Sequence, residues 1–180
     1  LNIDPLYEWP HYNIGRACGR MKNFIEAVTH FDRALLINPD SKWAHHEKGN
    51  ALLEMKQFVN AIAAYERTIE VDQSYKWPYY NIGRAYGGLG NTVKAIEWFI
   101  KALEVDPELK AASYEIAHCH LNLEDHLKAL DWFAKVQNLD SNDASAMFYM
   151  GNCLKRLKRY EEAIACYEKI TELDPNYERV

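Results

Sequence analysis

Turn-forming residues are scarce: the 180 residues include 8 glycines and 6 prolines. So few disfavour an all-β architecture, which needs many tight connections. No apolar run approaches the roughly 18 residues of a membrane-spanning helix, so no membrane insertion is expected. Leu1-Asn2-Ile3-Asp4-Pro5 has neither a basic region nor an apolar core, so it is not read as a secretory leader. Basic residues are in deficit. Against 26 Asp and Glu there are 21 Lys and Arg, a net charge of -5, which argues against nucleic acid as a partner. There is no phosphate-cradling loop, zinc-binding helix motif or nucleophile elbow, so no catalytic residue, cofactor or enzymatic activity is expected of this segment.

Cysteine is sparse as well. Cys18, Cys119, Cys153 and Cys166 show no close-pair spacing, which favours reduced thiols and a cytoplasmic location. The run His118-Cys119-His120 resembles a ligand set. On a helix, however, residues two apart point to nearly opposite sides, so no metal site is expected.

What the chain does have is self-similarity. Trp9 to Ala17 and Trp77 to Ala85 agree at eight of nine positions, an offset of 68, or twice 34. Numbering from Glu8 in steps of 34, position 8 of each unit holds Gly15, Gly49, Gly83, Ala117 and Gly151. Position 20 holds Ala27, Ala61, Ala95, Ala129 and Ala163, and position 24 holds Phe31, Tyr65, Phe99, Phe133 and Tyr167. The register runs from 8 to 177 without a gap, giving units 8–41, 42–75, 76–109, 110–143 and 144–177. A period of this length marks a stacked-repeat architecture.

Each unit carries two helical patterns. Positions 4, 7, 8 and 11 line one helix face (Tyr79, Ile82, Gly83, Tyr86), and positions 20, 21, 24, 27 and 28 line a second (Ala95, Ile96, Phe99, Ala102, Leu103). The turn between them falls at positions 15 and 16, as in Lys22-Asn23 and Gly90-Asn91. Asn38-Pro39, Asp106-Pro107 and Asp174-Pro175 stop the second helix. The small residues at positions 8 and 20 let two helix backbones approach closely. The ring at position 24 is expected to fill the space between one pair and the next. A single pair cannot bury its apolar face, so the pairs must stack, giving ten antiparallel helices in an all-α solenoid.

This pattern resembles the tetratricopeptide repeat family, through its period and through Gly15, Phe24, Ala27, Phe31, Ala34 and Pro39 in the first unit. The resemblance implies a right-handed superhelix of helical hairpins that serves as a protein-binding scaffold, with the first helix of each hairpin on the concave wall. Departures lie at position 4 (His11, His45, Ser113) and position 17 (Thr92, His126), and the fourth unit diverges most. Residues 1–7 align with the end of a second helix from a preceding unit, and 178–180 with the start of a further one. The chain therefore reads as a piece of a longer array, with self-association through uncapped ends as a further expectation.

On the implied concave wall, positions 5, 6 and 9 supply the candidate peptide-binding set: Tyr12, Asn13, Arg16, His46, Asn50, Tyr80, Asn81, Arg84, Tyr114, His118 and Asn152. Trp9, Trp43 and Trp77 stand beside it at position 2. Aromatics give contact area at low entropy cost, while Arg and Asn hold carbonyls and carboxylates, which suits a protein or peptide ligand with acidic groups. The two-carboxylate clamp of co-chaperone members is not carried over: Asn50 and Asn81 match it, but His46, Ala111 and Glu115 do not. Two rival roles stand beside the groove. One is structural assembly through outer faces and ends; the other is recruitment of substrate for a catalytic domain elsewhere in a longer chain.

Overall fold

The computed structural model describes residues 7–173; the segments expected to close an earlier unit at the start and to open a further one at 178–180 lie outside them, Tyr7 apart. Among the described residues there are ten helices and no strand. They are α1 (Trp9–Arg20), α2 (Phe24–Ile37), α3 (Lys42–Glu54), α4 (Phe58–Val71), α5 (Lys76–Gly88), α6 (Thr92–Val105), α7 (Lys110–Asn122), α8 (His126–Leu139), α9 (Ala144–Arg156) and α10 (Tyr160–Leu173).

Local chemistry sets these boundaries. Each hairpin turn carries one left-handed residue, Lys22, Lys56, Gly90, Glu124 or Lys158, with φ between 57° and 74°. Only Gly90 adopts that conformation without steric cost. The next helix is capped by a side chain in three hairpins: Asn23, Asn91 and Asp125 accept from the backbone N–H three residues on. Second helices end at Asn38, Asp72, Asp106 and Asp140, whose side chains accept from the backbone N–H two residues on, at 3.0–3.2 Å. This Asx turn stops α4 and α8 where Gln73 and Ser141 replace proline. Lys42 and Lys110 reinforce the end by donating to Asp72 and Asp140 at 2.5 and 2.8 Å.

Residues up to Trp98 form one compact unit, and those from Phe99 a second. Within the first, α1 packs on α2 and α3 on α4; α2 meets α3, α4 meets α5, and the first helices α1, α3 and α5 touch in order. Within the second, α7 packs on α8, α9 on α10, and α8 on α9.

The aligned positions explain the packing. Ala27, Ala61, Ala95, Ala129 and Ala163 are all buried, as the repeat pattern requires of position 20. The ring at position 24 does more than fill the gap between hairpins. A Cβ added to Gly15, Gly49 or Gly151 would come within 2.6–2.7 Å of Phe31, Tyr65 or Tyr167 respectively. The ring therefore lies flat on the glycine of its own hairpin, in space that a side chain would occupy. The α7–α8 hairpin has Ala117 at that place and still buries Phe133 completely. Burying each such ring contributes about 1.5–3 kcal/mol.

Candidate protein-binding surface

The predicted set divides into residues held by the protein's own packing and residues that face outward. Position 5 belongs to the first group. In four hairpins its ring packs against the ring at position 24: Tyr12 on Phe31, His46 on Tyr65, Tyr114 on Phe133 and Phe148 on Tyr167, with centroids 5.5–6.2 Å apart. Tyr12 and His46 are accordingly 8% and 7% exposed. His46 also meets Tyr75 edge-on at 5.1 Å, and burial alone pushes its imidazole down to about 4, so it is neutral at physiological pH.

Asn50 and Asn81 are likewise engaged. Asn50 Oδ1 accepts from the Tyr65 hydroxyl at 2.9 Å and from Asn81 Nδ2 at 3.2 Å, while Asn50 Nδ2 donates to Glu47 at 3.2 Å. Asn152 repeats the clasp in the second compact unit, accepting from Tyr167 at 2.9 Å. Both hairpins with Tyr at position 24 therefore have Asn at position 9. Where position 24 is Phe31 or Phe133, position 9 is Arg16 or His118, since a ring without a hydroxyl offers no hydrogen bond. This pairing is visible in the repeat alignment, but only comparing the two positions across units brings it out.

The outward residues of the first compact unit are Asn13, Arg16 and Arg84. Asn13 and Arg84 are exposed; Arg16 is half-buried, with its guanidinium 5.6 Å from the Tyr12 ring centroid. Arg16, Arg20, Phe31, Glu47 and Asn50 line a pocket of about 240 Å³ between α1, α2 and α3. Trp9, Trp43 and Trp77, at the first turns of α1, α3 and α5, are 37–41% exposed. Their indoles are braced edge-on by Tyr12, Tyr75 and Tyr80, and Lys42 and Lys76 lie over Trp43 and Trp77. Helices α1, α3 and α5 together carry six cations and two carboxylates in a chain that is acidic as a whole. Two of those cations are paired sideways, Lys42 with Asp72 and Lys48 with Asp32 at 2.5 and 2.6 Å, and the two carboxylates, Glu47 and Glu54, line the pocket beside Arg16 and Arg20.

The second unit presents a different surface. His118 is packed among Tyr114, Phe133 and Tyr149, its centroid 4.6 Å from Tyr149, and Phe133 stacks on Tyr149 at 5.1 Å. The positions equivalent to the tryptophans are Ala111 and Ser145. His120 is buried and Asp125 stands 3.9 Å from it, so the histidines flanking Cys119 point into separate surroundings. Burial pushes the Cys119 and Cys153 thiols up to about 11, and all four cysteines are free. Among the described residues no three His, Cys, Asp or Glu side chains gather to hold a metal ion, and no helix is long and apolar enough to cross a membrane.

Three family models match the chain: a tetratricopeptide repeat over 10–41, a TPR repeat over 49–90, and the anaphase-promoting complex, cyclosome, subunit 3 family over 89–170. No curated protein sequence matches. The fold is similar to that of several solved structures. MamA superposes with a TM-score of 0.83 at 17% identity, covering 96% of this chain and 97% of its own. YrrB, described as a TPR protein with an unusual peptide-binding site, superposes at 0.75 with 19% identity, covering 97% and 90%. The Pseudomonas aeruginosa PilF protein gives 0.76 at 18% identity, covering 92% and 75%. With a 34-residue repeat, helical hairpins closed by a ring on a glycine, and repeat models matched along its length, the chain belongs to the tetratricopeptide repeat family and has its all-α solenoid fold.

Proposed function

We propose that the protein is an interaction scaffold whose first compact unit binds an extended, acidic segment of a partner protein across α1, α3 and α5. The observation that carries this reading is the division of labour at position 9. Asn50 is clasped by Tyr65 and Asn81, whereas Arg16 and Arg84, one repeat to either side, present guanidinium groups on the same succession of first helices. A guanidinium takes a carboxylate through two parallel hydrogen bonds, which combines charge with orientation. Trp9, Trp43 and Trp77 add rigid apolar area beside it. The solved neighbour described as peptide-binding supports a peptide ligand for the fold. The free thiols, three of them buried, fit a reducing compartment such as the cytoplasm.

The test is titration with fluorescent extended peptides, one set rich in Glu and one rich in Lys, against the chain and its Arg16→Ala/Arg84→Ala variant. The acidic peptides are expected to bind, more weakly at high salt, and to lose at least about tenfold in affinity in the variant while helicity is unchanged. Equal binding by the variant would move the interaction off this face.

A further inference from the structure

The first hairpin holds a pair of imidazoles that the protein-binding reading does not use. His11 on α1 and His30 on α2 face each other across the hairpin, with their Nδ1 atoms 3.3 Å apart and ring centroids at 5.5 Å. The two positions oppose one another by register: in the third hairpin the same places bring Tyr79 against Trp98 at 6.2 Å. The other hairpins have His45 and Ala64, Ser113 and Trp132, or Met147 and Cys166 there, so histidine meets histidine only in the first. Both rings are half-buried and so remain within reach of solvent.

Two nitrogens bound to one tetrahedral ion at about 2.0–2.1 Å each lie roughly 3.3–3.4 Å from one another. The observed separation therefore matches a shared hydrogen bond and also a shared metal ion. We propose that His11 and His30 form a two-imidazole site for a divalent transition-metal ion, which would staple α1 to α2. Imidazole nitrogen suits zinc, nickel and copper and discriminates against magnesium and calcium, which take oxygen ligands.

The surroundings favour a ligand-ready state. Burial, the neighbouring Arg33 and the opposing His11 push His30 below its ordinary range, while Glu26, one turn away, pulls the other way. The shift favours the uncharged imidazole, the form that binds a metal. Taking up the ion then needs the Nδ1 proton shared across the pair to move to the outer nitrogen of its ring. Two ligands leave the remaining coordination positions to water. Because the ion bridges two helices, its binding energy adds to the stability of the first hairpin.

The experiment is thermal unfolding of the whole chain, under reducing conditions, with zinc chloride, nickel chloride or magnesium chloride, on the wild type and on His11→Gln, His30→Gln and His45→Gln. Zinc and nickel are expected to raise the unfolding midpoint by a few degrees in the wild type and in His45→Gln, and magnesium to leave it unchanged. Each of the two site variants should lose the shift while keeping the metal-free far-ultraviolet spectrum of the wild type. A shift that persists in both would put the ion elsewhere on the chain, and no shift in the wild type would mean no site; either result overturns the proposal.

Discussion

The α1–α2 and α3–α4 hairpins are the same device with one oxygen atom between them. Both lay a six-membered ring on a glycine and cover it with an aromatic from position 5. In α3–α4 the ring is Tyr65, and its hydroxyl ties down Asn50. In α1–α2 it is Phe31, and Arg16 at the equivalent place is left to the pocket and the surface. Packing and exposure are therefore linked at the ring in these two hairpins: the Tyr65 hydroxyl holds Asn50, whereas Phe31 leaves Arg16 half-buried, and it is Arg16 that the proposed function uses.

The covering residue gives the largest test of this comparison. Position 5 is Tyr12 in one hairpin and His46 in the other, and of the two only His46 titrates on the acid side of neutrality. Its imidazole is held down to about 4 by burial, against 6.5 when unfolded. The unfolded chain takes up a proton below pH 6.5 that the folded one refuses until about pH 4. The stability this position supplies is thus complete above pH 6.5, is lost as the pH falls toward 4, and amounts to about 3 kcal/mol. Denaturant unfolding from pH 7 to 4 should show that loss, and His46→Phe should flatten the profile relative to the wild type. An unchanged profile would mean that His46 is hydrated when folded.

Next in size is the clasp. Tyr65→Phe should lower stability by about 1 kcal/mol, the net worth of a partly buried hydrogen bond, and Tyr167→Phe by a similar amount. The ring stays in place in both, so most of the loss should disappear when the variant is made on an Asn50→Ala or Asn152→Ala background. Additive losses would show that the hydroxyl and the amide do not act as a pair.

The repeat, its two helices, its turn at positions 15 and 16 and its buried alanines are all legible in the sequence, because small residues and rings recur in register. Two features are not. The stop of the second helix reads as proline, yet α4 and α8 end without it, since the Asx side chain just before that place makes the turn by itself. Helical periodicity places the candidate residues on one helix face opposite the core, yet Tyr12, His46 and Asn81 are buried. Tyr12, His46 and Asn81 share the face of Asn13 and Arg84 but differ in burial, because Tyr12 and His46 are packed on a ring of the second helix and Asn81 is tied to Asn50. These pairings join different helices, Tyr12 and His46 with Phe31 and Tyr65 and Asn50 and Asn152 with Tyr65 and Tyr167, beyond the reach of any single helix's periodicity.

The smallest expected change in stability comes from converting one hairpin type into the other. Phe31→Tyr with Arg16→Asn rebuilds in α1–α2 the pair that α3–α4 already has. Phe31 and Arg16 line the same pocket, so the added hydroxyl has room and a partner. Stability should stay within about 0.5 kcal/mol of the wild type, since one hydrogen bond is gained and one half-buried charge is lost. Binding of an acidic peptide should nonetheless weaken, because the guanidinium is gone and the amide that replaces it is already occupied. The single substitution Phe31→Tyr, with Arg16 kept, separates the two causes. Wild-type affinity in that variant would assign recognition to the guanidinium alone, whereas affinity as low as in the double variant would show that the ring hydroxyl itself closes the surface.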